Sequence, residues 1–324
     1  MMTVSVSVPA TASNLGGGFD CVGVAVDRRL HVTVGVGAQG SGVTVHRAGT
    51  LAALDIAPEH DHIVTGFRVA CARAKRAMPD RLVVSADSDI PVGRGLGSSA
   101  AALVAGALAA AALYGDAADT ADIIALGSER EGHPDNVAPA VLGGAVLAVA
   151  RPDGRVTTAP VDVHPSLRFA FAIPDFTVDT HRARAALPDV LPHAAARAAA
   201  AAAAALVLGL RTAGADLLAA GLDGALHVPY RRALIPWYDE VVAAARSSGA
   251  FGATLSGSGS SVVAVATTER ADQVAAAMAA AWSARGVHAA PLVSAPCPLG
   301  ATVGAVDRNA PPLPGRSSTV EISS

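Results

Sequence analysis

Residues 91–101 read Pro-Val-Gly-Arg-Gly-Leu-Gly-Ser-Ser-Ala-Ala. Leu82–Ile90, just before, alternates like a strand, and Ser98–Leu113, rich in alanine and leucine, reads as a helix. A strand thus runs through a nearly bare backbone into a helix N-terminus. Glycines let a backbone approach an anion and aim successive N–H groups at it. The positive end of the helix adds about 0.3–1 kcal/mol. Ser98 and Ser99 can cap the helix or offer a hydroxyl to Mg²⁺. On this stretch alone, a plain glycine turn with a serine N-cap reads equally well.

Two better-known glycine motifs fit poorly. Gly95-Leu96-Gly97-Ser98-Ser99-Ala100 matches G-x-G-x-x-A, with Asp116 and Asp119 near the acidic position. Pro91 and Gly93, however, separate the strand from the first matching glycine, and the acids follow the helix instead of ending a second strand. A Walker A loop fails because no lysine follows any glycine here.

Apolar residues make up 52% of the 324, enough for a large core, while aromatics are 3%, so alanine, valine and leucine must fill it. The length suits two packed lobes. The apolar stretches are broken by Arg, Gly or Pro, which argues against a membrane partner. MMTVSVSVPA carries no basic-then-apolar leader. The net charge of −3 comes without a basic stripe, which argues against nucleic acid as a partner. Lysine occurs once, at Lys75, so anion binding falls to arginines and backbone amides. Cys21, Cys71 and Cys297 form no C-x-x-C pair, and a reduced, cytoplasmic protein is expected.

Residues 3–8 alternate as a strand that Pro9 is expected to stop, and Leu30–Val36 and Gly42–Val45 suggest a meandering sheet. His62–Arg76 and Asp119–Glu131 read as helices. From about residue 160 the pattern restarts: Leu167–Ile173 and Ser261–Ala266 as strands, and Ala194–Leu208, Trp237–Arg246 and Ala271–Ala284 as helices. The class is α/β or α+β with two lobes, divided near Arg151–Gly154. The tail from Asp307, rich in Pro, Ser and Gly, is expected to be disordered.

Three further polar loops each follow a regular element: PATASNLGGGFD (9–20), EREGHPDNVA (129–138) and GATLSGSGSS (252–261). No G-x-S-x-G nucleophile elbow and no H-E-x-x-H metal motif occurs, and His60-Asp61-His62 reads as a helix entrance.

Together, PVGRGLGSSAA and these loops resemble the phosphate loop and the first and third motifs of the GHMP kinases. The pairing of SNLGGGFD with EGHPDNVAPA is similar to the homoserine kinases within that superfamily. VDTHRARAALP (178–188) and LHVPYRRALIP (226–236) agree. The resemblance spans roughly Val4 to Val265. It implies an α+β, two-lobed GHMP kinase fold: an N-terminal lobe (1–154) with a left-handed βαβ crossover, a ferredoxin-like C-terminal lobe (155–306), and the tail 307–324.

The resemblance also implies ATP-dependent phosphorylation of the L-homoserine hydroxyl, in threonine biosynthesis, with ATP and Mg²⁺. The phosphate cradle would comprise Pro91, Val92, Gly93, Arg94, Gly95, Leu96, Gly97, Ser98, Ser99, Ala100 and Ala101. Mg²⁺ would take Ser99 and a glutamate, Glu129 in preference to Glu131. Arg184 and Arg231 match carboxylate-binding arginines, a role that a planar fork performs well. Arg232 is the neighbouring alternative. Asn14, Asp20, His133, Asn136 and Thr180 match other substrate contacts, with Asp20 for the ammonium. Gly257, Ser258 and Gly259 form the third glycine loop.

Asp135 is expected to brace its loop rather than act as a base. His62-Ile63 stands where many members carry Asn-Leu, which leaves the adenine pocket unassigned. A homodimer is expected by the same resemblance. The rivals are a paralogue acting on another small hydroxy-amino acid or carboxylated alcohol, and a non-catalytic sensor of nucleotide or amino acid. The sensor reading is weakened because the glutamates and phosphate-loop serines are all present.

Overall fold

The computed structural model describes residues 1–37, 40–115 and 119–308. Asp116 and the tail beyond Arg308 lie outside them. Among the described residues, eleven strands and ten α-helices form two sheets with their covering helices.

The first sheet comprises β1 (Met2–Ser13), β2 (Val22–Gly37), β3 (Gly42–Gly49), β4 (Arg81–Ser88), β5 (Ala145–Ala150), β6 (Val156–Val161) and β11 (Thr302–Val303). Its main path runs β11-β1-β2-β4-β3. The long β2 is shared on its far side, pairing β5 at Val22–Val24 and β4 at Leu30–Gly37. β3 and β4 are parallel and joined through α1 (His62–Arg73), so this part is a βαβ crossover and not the meander expected.

Pro9 does not stop β1. The register against β2 shifts between Pro9 and Ala10, skipping Asp27 and Arg28 on the partner. A residue without an N–H is tolerated where a bulge interrupts the ladder. β1 therefore continues to Ser13 and carries the chain, buried on both faces from Val8 onward, into the interior.

Helices α1, α2 (Ser98–Tyr114), α3 (Thr120–Glu131) and α4 (Val137–Leu142) accompany this sheet. α1 and α2 meet closely through two glycines. A Cβ on Gly66 would lie 2.1 Å from the Leu103 carbonyl oxygen, and one on Gly106 would lie 1.9 Å from that of Ile63.

The second sheet holds β7 (Leu167–Pro174), β8 (Gly252–Leu255), β9 (Val262–Thr267) and β10 (Ala289–Ser294) in the order β10-β7-β9-β8, all antiparallel. With α9 (Tyr238–Ser247) before β8 and α10 (Ala271–Ser283) before β10, this is the ferredoxin-like arrangement. Period-two alternation sorts its side chains. Leu167, Phe169, Phe171, Val263 and Val265 join the core of the first lobe. Ala170, Ala172, Val262, Ala264 and Ala266 pack with Trp282 and Met278 of α10. The two lobes therefore share one continuous apolar core.

Between β7 and α9 lie α5 (Thr180–Ala185), α6 (His193–Thr212), α7 (Ala215–Gly221) and α8 (Val228–Arg231). By length and composition α6 would suffice to cross a membrane. Its Ala199, Ala202, Leu206 and Leu210 stripe is nevertheless buried, and Ala202 lies against the loop at Gly17.

The boundary expected at Arg151–Gly154 falls in the turn of the β5–β6 hairpin, whose backbone pairing keeps β6 in the first sheet. After β10 the chain returns to that sheet. Cys297 N–H donates to the Ala25 carbonyl, β11 pairs with β1 at Val6 and Ser7, and Thr3 and Asp307 exchange backbone hydrogen bonds.

Candidate active site

The glycine stretch lies where β4 ends and α2 begins. Gly93, Gly95 and Gly97 all adopt positive φ, at 67°, 72° and 67°. Alternating left-handed residues turn successive N–H groups toward one concavity. α2 starts at Ser98 after a left-handed Gly97, with no side chain among the described residues capping its first turn. Its first N–H groups are thus left for another acceptor.

The loop is held from both sides. Thr11 N–H donates to the Leu96 carbonyl, and Thr11 Oγ1 donates to Asn136 Oδ1 at 2.8 Å beside Gly97. From the other lobe, Ser256 Oγ donates to the Gly95 carbonyl at 2.6 Å, and Ser261 N–H to that of Arg94 at 3.3 Å. The third glycine loop therefore braces the phosphate loop, with Gly257 against Gly95.

A cavity of about 350 Å³ opens in front of it, between the lobes. It is lined by Val92, Gly93, Gly95, Leu96, Gly97, Ser98 and Ser99. Glu131, Asn14, His133, Asn136, Thr180, Arg184, Arg231, Gly257 and Ser258 also line it. Residues from six separate stretches of sequence thus converge on one space. Pro91, Ala100, Ala101, Gly259 and Asp20 are not among its lining residues, and both alanines are fully buried in the core.

Two corrections concern charged groups at the phosphate end. Arg94 turns its guanidinium away from the cavity, donating to the carbonyls of Pro174 (2.8 Å), Asp175 (2.6 Å) and Val92 (3.3 Å). Its side chain is therefore not a phosphate ligand here. Glu129, preferred above as a metal ligand, is largely exposed and lies toward Arg73 at 4.0 Å. Glu131 instead accepts from Ser99 Oγ at 2.5 Å. Two residues apart on α3, the glutamates point to different faces of the helix. Ser99 and Glu131 together offer two hard oxygen ligands, a donor set suited to Mg²⁺. His62 Nδ1 stands 3.3 Å from Ser99 Oγ.

At the opposite end stand the groups expected to hold a zwitterion. Asn14 and Asp20 both have positive φ, and Asn14 Oδ1 accepts the Asp20 N–H at 2.9 Å, which closes the loop on itself. Asp20 is gripped by Arg184, at 2.6 and 3.2 Å. Arg231 is 2% exposed, donates Nε–H to the Ala183 carbonyl, and leaves a buried Nη1 without a partner among the described residues. Burial, and then the charge of Arg184, depress its pKa to about 10, partly offset by Asp20 and Asp135, so it remains a cation at neutral pH. Arg232 points outward to Asp239, so Arg231 is the inward-facing member of the pair.

Asp135 is wholly buried and does not line the cavity. Its carboxylate accepts the Asn14 N–H at 3.2 Å and lies 2.6 Å from His133 Nδ1. Burial opposes a charge on His133, but the hydrogen bond and charge of Asp135, helped by Asp20, outweigh it, and its pKa is raised.

Several residues of the site escape inspection of the sequence. Phe19 lies under both guanidinium groups, 5.6 Å from Arg184 and 5.0 Å from Arg231, and stacks on His227 at 4.9 Å. Burial, and then the Arg231 charge, depress His227 to about 3, so it stays neutral and accommodates the cations above. Both residues sit inside the motifs quoted above, in GGGFD and LHVPYRR. Leu51, Leu54, Ile56, Ile63 and Ile90 give the cavity an apolar wall. Leu51, Leu54 and Ile56 come from a loop whose sequence carries no motif.

Relatives match this arrangement along nearly the whole chain. Models of the GHMP kinase N-terminal and C-terminal domains match residues 62–144 and 198–284. A homoserine kinase of Synechococcus sp. is 38% identical over 88% of this chain and 93% of its own length. One of Gloeobacter violaceus is 38% identical over 86% and 92%. The crystal structure of homoserine kinase from Cytophaga hutchinsonii superposes with a TM-score of 0.82 at 30% identity, covering 93% of this chain and 97% of that one. A phosphate loop, a bracing third motif and a paired-arginine pocket, on a backbone shared with these proteins, make this chain a member of the homoserine kinase family of the GHMP kinases.

Proposed function

We propose that this chain transfers the γ-phosphoryl group of Mg-ATP to the side-chain hydroxyl of L-homoserine, giving O-phospho-L-homoserine and ADP. The observation that carries this reading is one cavity with two different ends. One end has bare N–H groups and a helix N-terminus for phosphate. The other has Arg184 and Arg231 for an amino acid's carboxylate, with Asp20, paired to Arg184 and not itself among the lining residues, for its ammonium.

Phosphoryl transfer asks for positioning and charge neutralisation more than covalent chemistry. The N–H groups of Gly93 to Ser99 cradle the phosphates, and the apolar wall formed by Leu51, Leu54, Ile56, Ile63 and Ile90 suits the nucleobase. Ser99 and Glu131 would hold Mg²⁺, which when bound neutralises phosphate charge. The unpartnered Nη1 of Arg231 takes a carboxylate oxygen, and Arg184, once released from Asp20, offers a parallel fork. Asp20 receives the ammonium. Asn136, oriented by Thr11, and His133, oriented by Asp135, line the space between the two ends.

Asp135 serves as a brace and not as a general base, because both its oxygens are occupied away from the cavity. The unpaired state of all three cysteines suits a reducing cytoplasm. We place the lobe boundary after β6, with the segment following β10 returning to the first lobe.

ADP release with Mg-ATP and L-homoserine, beside L-threonine, L-serine and mevalonate, tests the reading. Turnover strongly favouring homoserine is expected, because mevalonate lacks the ammonium and serine is one methylene short. Nucleotide binding with no homoserine turnover would sink the substrate assignment and keep the phosphate site.

A further inference from the structure

Arg94 stands in the middle of the phosphate loop, yet its side chain serves the opposite lobe. Its Nε–H and Nη2–H donate to the carbonyls of Pro174 and Asp175, at the point where β7 ends. Its own carbonyl accepts Ser261 N–H, so the residue is fixed from both sides.

The chain leaving those carbonyls is the one that carries the acceptor-binding groups. Phe176 follows, its carbonyl accepting Ser260 Oγ at 2.6 Å. Thr177 then packs on the loop, its Cγ2 3.2 Å from where Gly93 would bear a Cβ. Val178 lines the cavity, Asp179 caps α5 by accepting Arg182 N–H, and α5 delivers Thr180 and Arg184 into the site. Thr180 Oγ1 meets Ser258 Oγ at 3.3 Å. Arg94 is thus anchored only five or six residues before Thr180. α5, a short helix of six residues, has one buried residue, Ala183, and so little packing of its own.

We infer that Arg94 is a positioning residue that registers the acceptor-binding segment 174–185 against the phosphate loop. It sets the distance between the two reactants without touching the nucleotide. The inference rests on the proposed function only for the identity of the acceptor. A guanidinium is needed because its planar fork spans two successive carbonyls, which one ammonium cannot do with the same geometry. Misplacement of a reacting group by about 1 Å can cost roughly 10²-fold in rate, so a strap of this kind acts on catalysis from outside the cavity.

The test compares wild type with Arg94→Met and Arg94→Lys in three measurements: the Kd of a non-hydrolysable ATP analogue by calorimetry, kcat and KM for L-homoserine, and amide hydrogen exchange over 175–186. The expected result for Arg94→Met is a Kd within about twofold of wild type. KM for homoserine should rise about tenfold or more, kcat should fall, and exchange should accelerate over 175–186 but not over α2. Arg94→Lys should recover part of each change, and it carries the test if Arg94→Met does not fold. A tenfold loss of analogue affinity with homoserine KM unchanged would overturn the inference in favour of a phosphate ligand. Unchanged exchange and unchanged kinetics would overturn it outright. Absence of homoserine turnover by wild type would fail the acceptor assignment alone, since the exchange measurement still decides the strap.

Discussion

Arg184 donates through both Nη groups to the two carboxylate oxygens of Asp20, across 164 positions of sequence. The two charges expected to receive a zwitterion thus satisfy each other. A substrate bearing both a carboxylate and an ammonium can replace each partner with one of its own. A substrate with one charge leaves the other residue unpaired in a partly buried site, at a cost of roughly 1–3 kcal/mol. Asp20→Asn should raise KM for homoserine about 10–100-fold by this reasoning. Steady-state kinetics with saturating Mg-ATP checks it, and an unchanged KM would exclude Asp20 from the ammonium site.

Arg231 tests the carboxylate end more severely, because it is buried beside a neutral His227 and above Phe19. Removing one partner of a buried charged contact costs about 2–5 kcal/mol. Arg231→Met should therefore raise KM for homoserine at least about 30-fold, while Arg232→Met, on the surface with Asp239, should stay near wild type. Equal effects at both positions would contradict the assignment.

For the metal, the two glutamates make a matched pair. Glu131→Gln should raise the Mg²⁺ concentration needed for half-maximal activity by roughly 10–100-fold. Glu129→Gln should leave it unchanged. A magnesium titration of both variants at fixed ATP distinguishes them.

Asp135→Asn separates brace from base. Loss of a general base usually costs about 10²–10⁴-fold, whereas loss of a brace should cost less than about tenfold in kcat. A thousandfold loss with folding intact would reinstate the base.

The same variant carries a pH signature. His133 has a raised pKa in the folded protein, so its contribution to stability is fully present below its unfolded value and disappears as pH rises through the folded one. The excess in Tm of wild type over Asp135→Asn should therefore be larger near pH 6 than well above the folded His133 pKa. The His133 ring proton should titrate at lower pH in the variant, which NMR can follow.

The elements that could be read in advance are those whose information is local. The phosphate loop, the α2 pattern after it, and the alternation of β7 need no knowledge of their neighbours. Pro9 misled because the bulge that tolerates it is formed by Asp27 and Arg28 on another strand. Glu129 misled because spacing alone does not say which face of α3 meets Ser99. Arg94 was grouped with the phosphate ligands by its position in the loop, although its carbonyl partners lie 80 and 81 residues away. The paired arginines were legible as a motif. Their shared Phe19 support and their partner Asp20 depend on a fold that brings residues near 20, 184 and 231 together.

The pairing of β11 with β1 bears on the order in which the protein is made. The edge of the first sheet is closed by residues 302–303, some 140 positions after the last of the other strands in that sheet. A chain emerging from the ribosome must therefore carry an open β1 edge through synthesis of the entire second lobe. Unpaired edges of this kind are aggregation-prone. Early docking of β7 and β9 on the shared apolar core would lend the nascent first lobe support before its own edge is sealed. Versions truncated at Ser294 should express mainly as aggregates, even though every residue lining the cavity is present in them.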